Sequence, residues 1–266
     1  MIRLLSLGAG VQSSTLALMF AHGEIEPMPD AAIFADTGAE PAAVYRWLEE
    51  LKSVLPYPVH VVQKNGGLTE NIMQSLHGGR FAGIPFYTTT PSGRCGMLRR
   101  QCTSEFKIGP ITKITRHLAG IEPRRRPAEK IVIQHVGIST DEARRMKPAR
   151  ERWIETRWPL IDRRMSRRDC LIWIKSHGFQ EPERSACVYC PYHSDAEWRR
   201  MKLEDRESWE TAVRIDELAR NGVRGTKEKL YLHSSLTPLA EVDLSDDTDR
   251  GQLTFWDNEC TGLCGT

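Results

Sequence analysis

Short apolar runs alternate with longer helix-forming stretches through the first part of the chain. The runs predict strands over residues 2–7, 31–35 and 59–62, and the stretches between them predict helices over 13–21 and 42–55. The strand runs are almost continuously apolar, which is typical of strands that are buried on both faces. This β-α-β-α-β order predicts an α/β fold with a doubly wound, mostly parallel sheet.

The rest of the chain continues this pattern and then becomes helical. Further strands are predicted over 130–136 and 153–160, and further helices over 166–178, 195–203 and 206–219. Another helix is predicted over 104–117, broken or begun afresh near Gly109-Pro110. Residues 78–101 are rich in Gly, Pro and Thr and predict a long polar loop, either a substrate-covering lid or a disordered insertion. We therefore predict a nucleotide-binding α/β domain over 1–165 and a C-terminal helical, cysteine-bearing extension over 166–266.

Composition narrows the class of protein. The chain has 266 residues, of which 40% are apolar and 27% charged, as in ordinary soluble domains. Its apolar runs are far too short to cross a bilayer, and no leader pattern precedes the first strand. We therefore expect a cytoplasmic protein with no membrane partner. The 7 cysteines favour metal or redox chemistry over a disulfide framework.

The first strand leads into a turn that is suited to an anion. Gly8 and Gly10 allow a sharp turn and a close backbone approach, and the next helix presents unpaired N–H groups. Ser6, Ser13 and Ser14 add hydroxyl groups. The segment predicts a phosphate site, although an ordinary strand-to-helix turn has the same composition.

Four further segments resemble a known family when they are read together with this turn. They are Phe34-Ala35-Asp36-Thr37-Gly38; Cys102-Thr103 with Lys107 and Pro110; Gly137-Ile138-Ser139 with Asp141, Glu142, Arg144 and Arg145; and Cys187-Val188-Tyr189-Cys190 with the tail pair Glu259-Cys260. In this order they resemble the adenine-nucleotide α-hydrolase (PP-loop) superfamily, which includes ATP pyrophosphatases and the PAPS and APS reductases. The resemblance is to the PAPS-reductase-like branch and implies a HUP-like sheet.

The resemblance also implies roles for individual residues. Nucleotide-binding residues would be Ser6, Gly8, Gly10, Gln12, Ser13, Ser14, Asp36, Thr37, Gly137 and Arg145. Residues that bind substrate or phosphate would be Arg100, Lys107 and Arg144. Asp36 and Glu142 would flank the α-phosphate as catalytic carboxylates, and with Asp141 they could hold Mg²⁺, which prefers oxygen ligands.

The cysteines allow two kinds of metal site. Cys187 and Cys190 are spaced to hold one metal ion from a single turn, and Cys260 with Cys264 could complete a four-thiolate zinc site. The resemblance implies instead a 4Fe–4S cluster on Cys102, Cys187 and Cys190, with Cys260 or Cys264 as the fourth ligand or with the fourth iron open. Cys260 is also the candidate catalytic nucleophile.

The central part of the chain is strongly basic. Residues 94–168 contain twenty Lys or Arg and eight Asp or Glu, including several arginine pairs. Arginine favours bidentate contacts with phosphate, so a nucleic-acid substrate is one interpretation and a solvated surface is the other.

Three functions remain open at this stage. The favoured one is an enzyme that cleaves ATP to AMP and pyrophosphate, and so adenylates a substrate for iron–sulfur-assisted sulfur transfer from a donor protein. The second is a sulfonucleotide reductase, favoured by Gln12, which stands where ATP pyrophosphatases have aspartate, and by the Glu259-Cys260 tail. The third is a nucleotide-sensing protein without turnover. A homodimer is compatible with each of them.

Overall fold

The computed structural model describes residues 1–80, 83–223, 226 and 228–245. The strands are β1 (Ile2–Leu7), β2 (Ala31–Asp36), β3 (Val59–Gln63), β4 (Tyr87–Thr89), β5 (Cys95–Met97), β6 (Val132–Val136), β7 (Ile154–Arg157) and β8 (Leu230–Tyr231). The α-helices are α1 (Val11–Ala21), α2 (Ala42–Val54), α3 (Gly67–Leu76), α4 (Gly109–Leu118), α5 (Pro159–Asp162), α6 (Arg167–Ser176), α7 (Asp195–Glu204) and α8 (Arg206–Ala219). Three short helical turns cover Thr103–Ile108, Thr140–Arg145 and Leu239–Glu241.

Five strands form a parallel sheet in the order β3-β2-β1-β6-β7, which confirms the predicted α/β class. Strands β2 and β3 follow on one side of β1, and β6 and β7 then follow on its other side. The carboxyl ends of β1 and β6 are therefore the topological switch point, where ligands bind in sheets of this kind.

The strands of the large sheet that have continuous apolar sequences lie in the hydrophobic core. In β2 every residue from Ala31 to Ala35 is buried, as expected for a strand covered on both faces. Helix α1 is buried from Ser14 to Phe20 and packs against α6. Cys170 of α6 is buried in this core, where burial raises the pKa of its thiol to about 11. Cys170 is therefore a packed core thiol.

The chain between β3 and β6 differs from the sequence prediction. The segment read as a polar loop contains β4 and β5, an antiparallel pair in which Tyr87 lies opposite Met97. Strand β8 adds to the same small sheet, with Tyr231 opposite Tyr87. The helix predicted over 104–117 does have the predicted break near Gly109-Pro110: a π-helical turn covers Thr103–Ile108, and α4 begins at Gly109 with Pro110 in its first turn.

The last strand of the large sheet is shorter than predicted. Strand β7 ends at Arg157, and the short helix α5 begins at Pro159, within the predicted 153–160 strand. Proline has no backbone N–H for a ladder and is well tolerated at the start of a helix, which accounts for the change.

The chain divides into two compact units. One comprises Met1–Asn65 with Ser104–Ser185 and contains the five-stranded sheet; the other comprises Gly66–Thr103 with the described residues from Ala186 onward. Each unit combines segments that are separate in the sequence. The predicted division of the chain after residue 165 stays a prediction. In the part of the chain described, no helix is long and apolar enough to cross a membrane.

Candidate nucleotide-binding site

The turn after β1 is held by its own polar groups. The Gly8 N–H donates to the Ser13 hydroxyl at 3.1 Å, and that hydroxyl lies 3.2 Å from the Gly10 carbonyl oxygen, to which it donates. Gly10 is the N-cap of α1 and has no side chain to cap the helix. The first N–H groups of α1 are thus presented at the carboxyl edge of the sheet without a side-chain cap, which is the arrangement that attracts an anion.

The other two predicted serines, Ser6 and Ser14, are also engaged within the protein. Ser14 is fully buried, and its hydroxyl accepts a hydrogen bond from Trp47 Nε1 at 2.8 Å, so this side chain faces the core. Ser6 accepts a hydrogen bond from Gln134 Nε2 at 2.7 Å, which joins β1 to its neighbour β6. These hydroxyl groups stabilise the framework of the turn.

The segment after β6 lies directly against the start of α1. A Cβ atom at Gly137 would be only 2.7 Å from Ser13 Cα and 2.8 Å from Ser13 N, so the residue must be glycine for the two backbones to approach this closely. Beside it, Gln12 Nε2 donates to the buried Ser139 hydroxyl at 3.3 Å. The structure therefore brings together two segments singled out in the sequence, the turn after β1 and the segment Gly137-Ile138-Ser139.

Asp36, a predicted catalytic carboxylate, accepts three hydrogen bonds from the protein. Its Oδ1 receives the Gly38 N–H and the Tyr45 hydroxyl, both at 2.7 Å, and its Oδ2 receives Gln63 Nε2 at 3.0 Å. Burial, together with the bond to Asp36, raises the pKa of Tyr45 above its ordinary value, so its hydroxyl remains a donor. The Asp36 carboxylate organises the turn after β2.

Glu40 is a buried carboxylate in this region that the sequence reading missed. Its side chain is fully buried, with Oε1 3.0 Å from Lys107 Nζ and Oε2 accepting the Ser185 hydroxyl at 3.1 Å. The Thr37 hydroxyl, 3.5 Å away, donates to Oε1. Lys107, a predicted phosphate ligand, is thus held in place by a carboxylate, and Ser185 also lies next to Gly10, whose added Cβ would be 3.7 Å from its own.

The charged residues after Ser139 lie on a short helical turn. Glu142 is paired with Arg145 at 2.6 Å, and Asp141 Oδ1 accepts the Arg167 N–H at 3.0 Å. The side chains of Arg144 and Arg145 are exposed. The structure places this turn directly after β6, at the same edge of the sheet as the turn after β1.

The predicted cysteine ligands that lie in the described part of the chain belong to the second unit. Cys102, Cys187 and Cys190 are partly buried, and the Cys190 N–H donates to the Cys187 carbonyl at 2.9 Å in a tight turn. Arg100 lies over the Tyr192 ring, 5.3 Å from its centroid.

No metal-binding group was found in the described residues. Within residues 1–80, 83–223, 226 and 228–245, no three His, Cys, Asp or Glu side chains form a group that could hold a metal ion. The thiol pair of Cys187 and Cys190 is chemically suited to iron or zinc, but the further ligands proposed at Cys260 and Cys264 lie outside the described residues. The iron–sulfur cluster, zinc and Mg²⁺ therefore stay predictions, as does the role of Cys260.

Comparison with known proteins gives a similarity of fold. No protein-family model and no curated protein matches the chain. Among solved structures, the chain is similar to the crystal structure of phosphoadenylyl-sulfate (PAPS) reductase from Candida auris in a phosphate complex. The identity is 12%, the TM-score is 0.46, and the match covers 68% of this chain and 75% of that chain. A similarity at this level does not carry the reaction of that enzyme over to this chain.

Proposed function

We propose that the chain is an enzyme of the sulfonucleotide reductase kind, which binds an adenine nucleotide at the carboxyl ends of β1 and β6. The observation that carries this proposal is the close approach of Gly137 to Ser13 at the uncapped start of α1. Two backbone segments meet there without intervening side chains, and the N–H groups of a helix N-terminus favour phosphate.

The polar groups around this turn favour a sulfonucleotide over ATP with magnesium. Gln12 supplies an amide where an ATP pyrophosphatase has a carboxylate, and it bonds to Ser139. Asp36 is surrounded by three donors from the protein, and Glu142 is paired with Arg145. Three of the roughly four lone-pair sites of the Asp36 carboxylate are thus occupied by protein donors, which leaves it little capacity for a hard cation. These contacts support the reductase interpretation over the ATP-cleaving one that the sequence favoured.

The proposed reaction uses one cysteine and an external dithiol. The Cys260 thiolate attacks the sulfur atom of an adenylyl sulfate, the bond between that sulfur and the nucleotide phosphate oxygen breaks, and the nucleotide leaves. The resulting S-sulfocysteine is attacked at Sγ by one thiol of the dithiol, which releases sulfite and forms a mixed disulfide. The second thiol restores Cys260, so the two electrons come from the dithiol.

The experiment that tests this function compares products from alternative substrates. Adenylyl sulfate and its 3′-phosphorylated form are supplied with a dithiol and assayed for sulfite, and ATP with Mg²⁺ is assayed for pyrophosphate. We expect sulfite from the wild type and none from Cys260→Ser, with normal turnover in the Cys95→Ser control. Pyrophosphate from ATP without sulfite from either sulfonucleotide would contradict the proposal and restore the ATP-cleaving alternative.

A further inference from the structure

An arginine occupies a backbone conformation that favours glycine in the loop between α4 and β6. Arg124 has φ +69°, and the Arg125 N–H donates to the Glu122 carbonyl at 3.2 Å, which closes a turn with Pro123 and Arg124 at its centre. Proline followed by a residue of positive φ is the pattern of a type II turn, where glycine is the usual third residue. Arginine is strained there, and strain retained at an exposed position points to a function.

The same loop is fixed in place by a side chain from α4. Arg116 Nη2 donates to the carbonyl oxygens of Glu122 at 2.9 Å and Arg125 at 2.8 Å. The Arg116 guanidinium also lies over the ring of buried Trp153, 5.8 Å from its centroid. The loop is therefore ordered in advance, so a ligand that binds it would not have to order the backbone.

The ordered loop presents a concentration of positive charge. Arg124, Arg125 and Arg126 are all exposed, and among the described residues no acidic side chain forms an ion pair with any of them. Exposed Lys130 follows and is 3.9 Å from Glu155. The other acidic groups nearby in the sequence are the exposed Glu122 and Glu129. Three adjacent unpaired guanidinium groups repel one another, so this arrangement favours an anionic partner with several charges.

We propose that the Arg124–Arg126 loop is a docking surface for the phosphodiester backbone of a nucleic acid. Guanidinium groups bind phosphate oxygens in a bidentate manner, and a nucleic acid offers such groups at a regular spacing that three neighbouring arginines can share. The loop leads into the amino end of β6, whereas the candidate nucleotide site lies at the carboxyl ends of β1 and β6. The surface is thus separate from that site and does not depend on the function proposed for it.

The chain contains a matched control for this surface. Arg164 is also an exposed arginine with positive φ, +55°. It follows the carboxyl end of β7, whereas the Arg124–Arg126 loop precedes the amino end of β6. Replacing either arginine with glycine removes one charge and relieves the same kind of backbone strain. Both Arg124→Gly and Arg164→Gly should raise the melting temperature, by about 2 °C in a chain of this size. Only Arg124→Gly should weaken binding of nucleic acid.

The test measures binding of a fluorescent 25-nucleotide DNA, single-stranded and as a duplex, by anisotropy between 50 and 200 mM salt. Arg124→Gly should lower duplex affinity roughly five- to tenfold at 0.1 M salt and reduce the salt slope by about 1, because one phosphate contact is lost. Arg164→Gly should leave both quantities at the wild-type values. Lower affinity in a variant that is more stable cannot come from misfolding.

Three results would overturn the proposal. One is the absence of binding by the wild type to either DNA at 50 mM salt. Another is an equal loss of affinity in Arg124→Gly and Arg164→Gly, which would indicate a response to net charge alone. The third is binding to vesicles containing anionic phospholipid that matches or exceeds binding to DNA, which would assign the surface to a membrane.

Discussion

Replacing Gly137 with alanine tests the close contact on which the candidate site depends. The added Cβ would lie 2.7 Å from Ser13 Cα, and ordinary van der Waals contacts begin at 3.4 Å. The start of α1 and the segment after β6 must therefore separate by about 0.7 Å. Overpacking of this kind costs about 1–3 kcal/mol of unfolding free energy. A displacement of about 1 Å at an active site can lower the reaction rate about a hundredfold. We therefore expect the affinity for nucleotide in this variant to fall at least tenfold.

Urea unfolding and calorimetric nucleotide titration measure the two effects of Gly137→Ala. The matched variant is Gly10→Ala in the neighbouring turn, where the nearest atom to the new Cβ is 3.7 Å away and φ is −94°. That variant has room for the methyl group and should unfold at the wild-type urea concentration. Wild-type stability together with wild-type nucleotide affinity in Gly137→Ala would refute the reasoning from the contact.

Two further predictions concern buried ionisable groups in the same unit. Burial, with Arg157 and Arg3 nearby, lowers the pKa of His135 to about 4, so stability is complete above the unfolded pKa near 6.5 and declines as pH falls toward 4. We expect the free energy of unfolding, measured with urea, to fall by about 2 kcal/mol between pH 7 and 5, and to fall much less in His135→Phe. The same fall in His135→Phe as in the wild type would contradict this prediction. Glu40→Gln should lower the free energy of unfolding by about 1–2 kcal/mol, because Lys107 and Ser185 lose a charged acceptor. The control is Glu49→Gln, which removes an exposed ion pair with Lys52. An effect of Glu40→Gln no larger than that of the control would argue against a stabilising role for the Glu40 contacts.

The main sheet could be predicted because its strands are buried on both faces. A strand such as Ala31–Asp36 has no polar alternation, so its apolar run and the flanking helices identify it directly. The small sheet was missed for the opposite reason. Its strands, such as Tyr87–Thr89, are three residues or shorter and lie among glycine and proline, so they are too short to show an alternating pattern. One of the two pairings in this sheet also joins β4 to β8, which is distant in the sequence.

The candidate site was predictable only where a short segment carries the chemistry. The turn from Gly8 to Ser13 contains its own hydrogen bonds, so its conformation is local. Glu40 was not predictable, because Lys107 and Ser185, which accompany its buried carboxylate, are 67 and 145 residues away in the sequence. The core position of Ser14 depends likewise on Trp47, which belongs to another helix.

The central claim is that phosphate binds at the start of α1, and titration of Gly10 variants tests it most directly. Gly10→Asp and Gly10→Asn place side chains of equal size at the N-cap of α1, but only aspartate adds a negative charge. Adenosine 3′,5′-bisphosphate and ATP are titrated calorimetrically into the wild type and both variants. We predict binding to the wild type and an affinity for Gly10→Asp at least tenfold below that for Gly10→Asn, with a gap that widens at low salt. Equal affinities in the two variants, or no nucleotide binding by the wild type, would contradict the account.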